Sequence, residues 1–371
     1  MLAKQERATN TSNVLRLDQP FSLFRGGVLT QTDIAYETWG QLSSNKDNAV
    51  LIFTGLSPSA HVASSTNDPN EGWWEFMVGP NKPIDTNRFF VVCVNSLGSC
   101  FGSSGPASIN PNNGHPYRLD FPELSVEDIA SAGREVVTAL GIDRLHTVIG
   151  ASLGGMSALV YCIMFSEEVR KLVSISAAVH SSPFAISIRS LQREIIRSDP
   201  AWNHGNYDSN SPPINGMRLA RKLGLVTYRS SEEFNQRFGR KRKFKEQPIS
   251  PPFSAEFDIE SYLDYNANNF IDQFDTNCYL YLSRAIDWFD IAMHGGSVEA
   301  GLAKIKTESN LIIGVKSDFL FPITQQKEIV DLLQSNKLNT SFAPLDSIQG
   351  HDSFLIDQKN FAPPVREFFS D

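Results

Sequence analysis

Short apolar runs that stop at turn-forming residues recur along the chain. Ala49 to Phe53 is one and ends at Thr54-Gly55; Phe89 to Val94 is another and ends at Asn95-Ser96. Such runs are too short for a helix and carry no polar face. They predict strands buried on both sides, with loops opening at their carboxyl ends. Phe21 to Trp39 predicts two strands around the turn Gly26-Gly27, the second with Ile34, Tyr36 and Thr38 in alternation. Ser125-Val126-Glu127-Asp128 has the form of a capping box with Asp in place of the usual Glu. It opens a helix through Ile129, Val136, Val137 and Leu140, which Gly141 stops. His146 to Ile149 is a strand followed at once by Gly150, Met156 to Phe165 is apolar at helical spacing, and Lys171 to Val179 is a strand again.

From His180 to about Ala303 the alternation gives way to helical patterns, polar in patches and punctuated by Pro212-Pro213 and Pro251-Pro252. It resumes with a strand at Leu311 to Val315, a helix at Ile323 to Leu333, a strand at Thr340 to Leu345 and a helical segment after His351. Alternating strands and helices imply a mostly parallel sheet covered on both faces. The expected organisation is an α/β core over residues 1–179 and 304–371, with a helical lid inserted over 180–303. No internal repeat or low-complexity tract interrupts it. Ligands of such a sheet sit beyond the carboxyl ends of its strands.

The chain has 371 residues, 41% of them hydrophobic and 20% charged, enough to bury a large core. Its net charge of −8 argues against a nucleic-acid or anionic-membrane partner. Cys93, Cys100, Cys162 and Cys278 form no C-x-x-C pair, which suits thiols in a reducing cytoplasm rather than a metal site. Met1 to Asn10 is polar and lacks the apolar core of a signal peptide, and no apolar run is long enough to span a membrane.

Gly150-Ala151-Ser152-Leu153-Gly154 matches G-x-S-x-G between a strand and a helix. A turn that tight strains the serine and leaves no room for side chains two residues either side, so Ser152 reads as a raised nucleophile. A serine hydroxyl needs a base. Of seven histidines only His351 follows the last predicted strand; His146 begins a strand and faces the wrong end of the sheet. His61, in a loop near the site, is a candidate for some other role. Asp318 ends an earlier strand and completes the chain order Ser152, Asp318, His351 of an α/β-hydrolase triad. An oxyanion hole needs two N–H groups. Leu153, after the nucleophile, is one; Phe53, before the Thr54-Gly55 loop, is the expected other.

With the triad in place, the chain resembles the homoserine and serine O-acyltransferases of the α/β-hydrolase superfamily. The likeness runs from about Phe21 to Phe369. It rests on Ala35-Tyr36-Glu37-Thr38-Trp39-Gly40, Trp73-Trp74 with Gly79-Pro80 and Ile84-Asp85-Thr86, Asn95-Ser96-Leu97-Gly98 with Gly102 to Pro106, Leu219-Ala220-Arg221, Thr227 to Ser230, Arg237-Phe238-Gly239, and the segments around Asp318 and His351. The resemblance implies a two-step exchange from acyl-coenzyme A to an amino-acid hydroxyl, no permanently bound cofactor, no metal and a homodimer. It also implies that Arg221 takes the acceptor's carboxylate and Asp352 its ammonium.

Gly55-Leu56-Ser57-Pro58-Ser59-Ala60-His61 departs from the Thr-Gly-Asp-Ala-His of the usual homoserine acetyltransferases. With Ile188-Arg189-Ser190-Leu191-Gln192-Arg193-Glu194 it resembles the serine O-succinyltransferase branch. Only a succinyl donor ends in a carboxylate, so Arg189 is the expected acyl-coenzyme A specificity residue. L-serine O-succinyl transfer in cysteine synthesis is the leading expectation. Acetyl-coenzyme A as donor, homoserine as acceptor, and an esterase or peptidase using the same triad stay open, as does a binding protein on a dead hydrolase fold. Arg240-Lys241-Arg242-Lys243 is read as a solvated basic face, and Trp288-Phe289 as helix packing.

Overall fold

A computed structural model describes residues 12–208, 210–243, 254–271 and 273–370. The polar N-terminal stretch and Pro251-Pro252 lie outside the described residues. The central sheet has eight strands: β1 (Asn13–Arg16), β2 (Asp33–Trp39), β3 (Ala49–Phe53), β4 (Phe90–Val94), β5 (Leu145–Ala151), β6 (Val169–Ile175), β7 (Ser309–Val315) and β8 (Thr340–Leu345). Their spatial order is β1-β2-β4-β3-β5-β6-β7-β8. Only β2 runs against its neighbours; all pairs from β4 to β8 are parallel.

Every residue of β3 is buried. Ala49, Leu51 and Phe53 enter one core, and Val50 and Ile52 enter the other, as the two-residue period of a strand requires. The first core packs under α1 (Val126–Ala139) and α2 (Leu153–Met164). The second holds Trp39, Trp74, Phe361 and Phe369. α1 carries the expected capping box: Ser125 Oγ accepts from Asp128 N while the Asp128 carboxylate accepts from Ser125 N.

Phe21 to Leu29 differs from expectation. Phe21–Ser22 and Val28–Leu29 pair only with each other, outside the main sheet. β1, at the sheet edge, has no apolar alternation to announce it, and its residues are mostly exposed.

Between β6 and β7 the chain forms α3 (Pro183–Ser198), α4 (Ile214–Tyr228), α5 (Ser231–Phe238), α6 (Asp258–Ile271) and α7 (Thr276–Trp288). Register puts Phe53 opposite Gly150, Ile175 opposite Ala151 and Ile313, and Val315 opposite Leu345. The loops after β3, β5, β7 and β8 therefore open at one end of the sheet, where these helices stand. α8 (Ile323–Ser335) and α9 (Gln358–Phe368) complete the layers.

Candidate active site

Ser152 is the residue at which β5 becomes α2. Its φ of 56° lies in the left-handed region that a serine seldom adopts. The flanking glycines make the turn possible. A Cβ on Gly150 would sit 2.2 Å from the Gly154 carbonyl oxygen, and one on Gly154 would sit 2.2 Å from the Phe53 carbonyl oxygen. Ser152 N donates to the Ile175 carbonyl at 2.9 Å, tying the strained residue to the neighbouring strand.

His351 and Asp318 meet it there. His351 Nε2 lies 2.8 Å from Ser152 Oγ, and Nδ1 lies 2.7 Å from Asp318 Oδ2. A carboxylate only accepts, so Nδ1 carries the proton and Nε2 is left to accept from the serine. Asp318 Oδ1 accepts from the N–H groups of Leu320 and Phe321 at 3.0 and 2.9 Å. Phe321 stacks on the imidazole, ring centroids 4.9 Å apart. The turn before the histidine needs Gly350 at φ 68°, where a Cβ would meet Ser230 N and the Tyr228 carbonyl oxygen at 2.8 Å. Gly350 N donates to Ser317 Oγ at 3.0 Å, joining the loops after β7 and β8.

Ser152 and His351 open onto a cavity of about 830 Å³, part of it open to solvent, with Asp318 closed off behind the histidine. Gly55 to Pro58, Ile188, Arg189, Arg221, Tyr228, Tyr279 and Asp352 are among its lining residues. Leu153 begins α2, so its N–H is one of the free donors at a helix start. Phe53 ends β3 with its ring against Gly133 and Tyr161, so only its backbone is left to serve the site, beside the Gly154 end of the nucleophile turn. Gly55 and Leu56, which follow it, line the cavity.

Arg221, on α4, lies with its guanidinium 4.1 Å from the centre of the Phe270 ring. Its buried Nε has no hydrogen-bond partner among the described residues. Asp352 is paired differently: its Oδ2 lies 3.1 Å from Arg229 Nε, and Arg229 also reaches Glu233 at 3.2 Å. Burial pushes the Asp352 carboxyl up, against the pull of Arg229, Arg221 and His351. Arg189 is only 6% exposed, so it is no surface residue. Its Nε pairs with Asp287 and its Nη2 donates to Ser181 Oγ at 2.8 Å.

The remaining candidates fall outside the cavity. His146 lies near the opposite end of β5, against Phe89 and Phe369, and burial with the nearby Lys171, Arg170 and Arg88 lowers its pKa to about 4. His61 bonds Glu37 Oε2 and the Asn70 carbonyl, each at 2.9 Å, and so ties the loop after β3 to β2. Arg242 pairs with Glu256 at 3.3 Å on the surface. Trp288 is 47% exposed under Arg25, whereas Phe289 is buried. Sequence reasoning missed Tyr279 and Asp287, which carry no local motif. Phe321 belongs to Leu320-Phe321-Pro322, one of the segments that carry the resemblance, but its ring was given no role there. Among the described residues no group of three or more His, Cys, Asp or Glu is placed to hold a metal, and no helix is long and apolar enough to cross a membrane.

The profile of the α/β-hydrolase fold family matches residues 48–344. A serine O-succinyltransferase from Litchfieldella anticariensis is 56% identical over 357 residues, covering 96% of this chain and 97% of that one. One from Stenotrophomonas maltophilia is 55% identical, covering 95% of each. Among solved structures, a homoserine O-acetyltransferase from Bacillus anthracis superposes with a TM-score of 0.90 at 28% identity, covering 97% of both chains. Esterase E22 does so with a TM-score of 0.88 at 29% identity, covering 96% of this chain and 99% of that one.

Proposed function

The chain belongs to the α/β-hydrolase family and, within it, to the serine O-succinyltransferases, and from that premise we propose that it carries a succinyl group from succinyl-coenzyme A to the hydroxyl of L-serine. The observation that carries this reading is the pair of guanidinium groups, Arg189 and Arg221, lining one cavity beside Ser152. Acceptor and succinyl donor each bring one carboxylate, and guanidinium is suited to both. An acetyl group would bring no second carboxylate to the cavity.

In the first half-reaction His351 Nε2 takes the proton of Ser152 as Oγ attacks the thioester carbonyl. The oxyanion turns toward the Leu153 N–H at the start of α2, where the helix dipole favours negative charge. The second donor is a backbone N–H at the end of β3, that of Phe53 being the expected one. The tetrahedral intermediate expels coenzyme A, whose sulfur takes the proton from His351, and Ser152 holds a succinyl ester. In the second half His351 takes the acceptor's hydroxyl proton, the alkoxide attacks that ester, and the proton returns to Ser152. Asp318 keeps Nδ1 protonated throughout. Arg221 holds the acceptor's carboxylate and Asp352 its ammonium.

The likeness to an esterase keeps hydrolysis as a second reading, since water could take the acceptor's place. Exposed Leu191, Ile214, Leu219 and Val226 on α3 and α4, with Tyr265 on α6, suit pairing of two copies. We take the enzyme to be a cytoplasmic homodimer. A matrix of succinyl- and acetyl-coenzyme A against L-serine, L-homoserine and water tests the function. The reading expects the highest kcat/KM for succinyl-coenzyme A with serine and little turnover with water. Preference for acetyl-coenzyme A with homoserine, or rapid hydrolysis, contradicts it.

A further inference from the structure

Arg189 belongs to a cluster. Arg193 is one turn further along α3, so both guanidinium groups leave the helix on the same side, toward the end of α7. Asp287 lies between them, its side chain 5% exposed. Arg189 Nε pairs with Asp287 Oδ1, and Arg193 Nη2 lies 2.6 Å from Oδ2. The second contact lies off the hydrogen-bond line, because Oδ2 accepts no aligned bond. Coulomb attraction does not need that alignment. Two serines complete the arrangement: Ser181 Oγ accepts from Arg189 Nη2 at 2.8 Å, and Ser283 Oγ accepts from Arg193 Nη1 at 2.9 Å. Of these residues, only Arg189 lines the cavity.

The charges of the cluster do not cancel. Two guanidinium groups share one carboxylate, which leaves one net positive charge in a wall that is largely closed to water. An Arg189–Asp287 pair alone would be neutral and would draw an incoming anion weakly. A buried excess charge, in contrast, is costly until an anion meets it. We propose that Arg193, which does not reach the cavity, sets donor selectivity through Asp287. By neutralising that carboxylate it leaves the Arg189 guanidinium positive toward the donor's terminal carboxylate, while Asp287 fixes the guanidinium's direction. Arg193 and Asp287 are thus positioning residues. The inference rests on the reading of Arg189 as the partner of the succinyl carboxylate.

The test is the ratio of kcat/KM for succinyl-coenzyme A to that for acetyl-coenzyme A, in the full-length enzyme with L-serine as acceptor. Arg193→Gln is expected to lower the ratio about tenfold, equivalent to about 1.4 kcal/mol. Arg193→Lys, which keeps the charge, should hold the ratio near that of the wild type. An equal loss on both donors in Arg193→Gln overturns the inference, because a residue that only braces two helices would do that. An equal fall of the ratio in Arg193→Lys also overturns it, since charge would then not be the cause. Arg189→Met separates the two levels. If it collapses the ratio while Arg193→Gln leaves it unchanged, the reading of Arg189 stands and the inference fails. If Arg189→Met leaves the ratio unchanged, or the wild type prefers acetyl-coenzyme A, the underlying reading fails and takes the inference with it.

Discussion

Nδ1 of His351 lies 2.7 Å from Oδ2 of Asp318, whose other oxygen is held by the N–H groups of Leu320 and Phe321. The Asp318 side chain is closed to solvent. This carboxylate therefore sets both the tautomer of the base and the shape of the turn that carries it. Asp318→Asn keeps the volume, but its amide can present an N–H to Nδ1 and favour the wrong tautomer. Steady-state turnover should fall on the order of ten-thousandfold, as in the serine-protease case of this substitution, with little change in thermal stability. A loss below tenfold would mean that the base does not depend on this contact.

Ser152→Ala and His351→Ala should each abolish transfer to a similar residual level. Members of one catalytic unit are not additive, so the double variant should be scarcely worse than either single one. Single-turnover rates of the three variants check this. Multiplying losses would show that the two residues act separately, despite the 2.8 Å between Nε2 and Oγ.

Asp352 predicts opposite effects on binding and stability. Its folded-state pKa is raised, chiefly by burial. The folded protein thus holds that proton more tightly than the unfolded chain, and the carboxylate's charge opposes folding at neutral pH. Asp352→Asn should leave the midpoint of thermal unfolding at pH 7 unchanged or higher, with Arg229 still able to reach Glu233. The same change should raise the KM for serine, whose ammonium loses its anion. In the wild type, that KM should climb on acidification from a higher pH than an ordinary aspartate would give, while the donor's KM moves less. Asp352→Asn with a lower unfolding midpoint and an unchanged serine KM would contradict the assignment.

His61 should make a pH-dependent contribution to stability. Burial opposes its charge, but the hydrogen bond to Glu37, the Asn70 carbonyl and the charges of Glu37 and Asp68 together raise its pKa. A raised folded-state value favours the protonated form in the native protein. The contribution is then full below the unfolded value of about 6.5 and is lost as pH rises through the folded one. Urea unfolding of wild type and His61→Gln, at a pH below 6 and at one near 9, should give a stability gap that narrows as pH rises. A gap that widens with pH would reverse the sign and the explanation.

Much of this architecture was legible because buried parallel strands and a strand–turn–helix nucleophile leave local signatures. Gly150 and Gly154 could be read from the sequence, since each stands where a Cβ would strike backbone. Asp318 and His351 could be read because each follows a strand of its own. β1 could not, since an exposed edge strand needs no apolar alternation. The same holds for Tyr279 and Asp287. Both sit on α7, and they meet the site only because α7 packs beside α3. The packing of the Phe53 ring was not legible either. The strand runs to that residue and its ring lies against Gly133 and Tyr161, so only its backbone N–H is left for the role read from the sequence.

The most direct measurement is a chase of the acyl-enzyme. Enzyme mixed with succinyl-coenzyme A and no acceptor should gain the mass of one succinyl group, mapped to the peptide bearing Ser152, with release of free coenzyme A. Adding L-serine should discharge the adduct quickly as O-succinylserine, while L-homoserine or water does so slowly. An intact mass that never changes, together with intersecting rather than parallel double-reciprocal lines, would contradict a covalent succinyl-serine intermediate on Ser152.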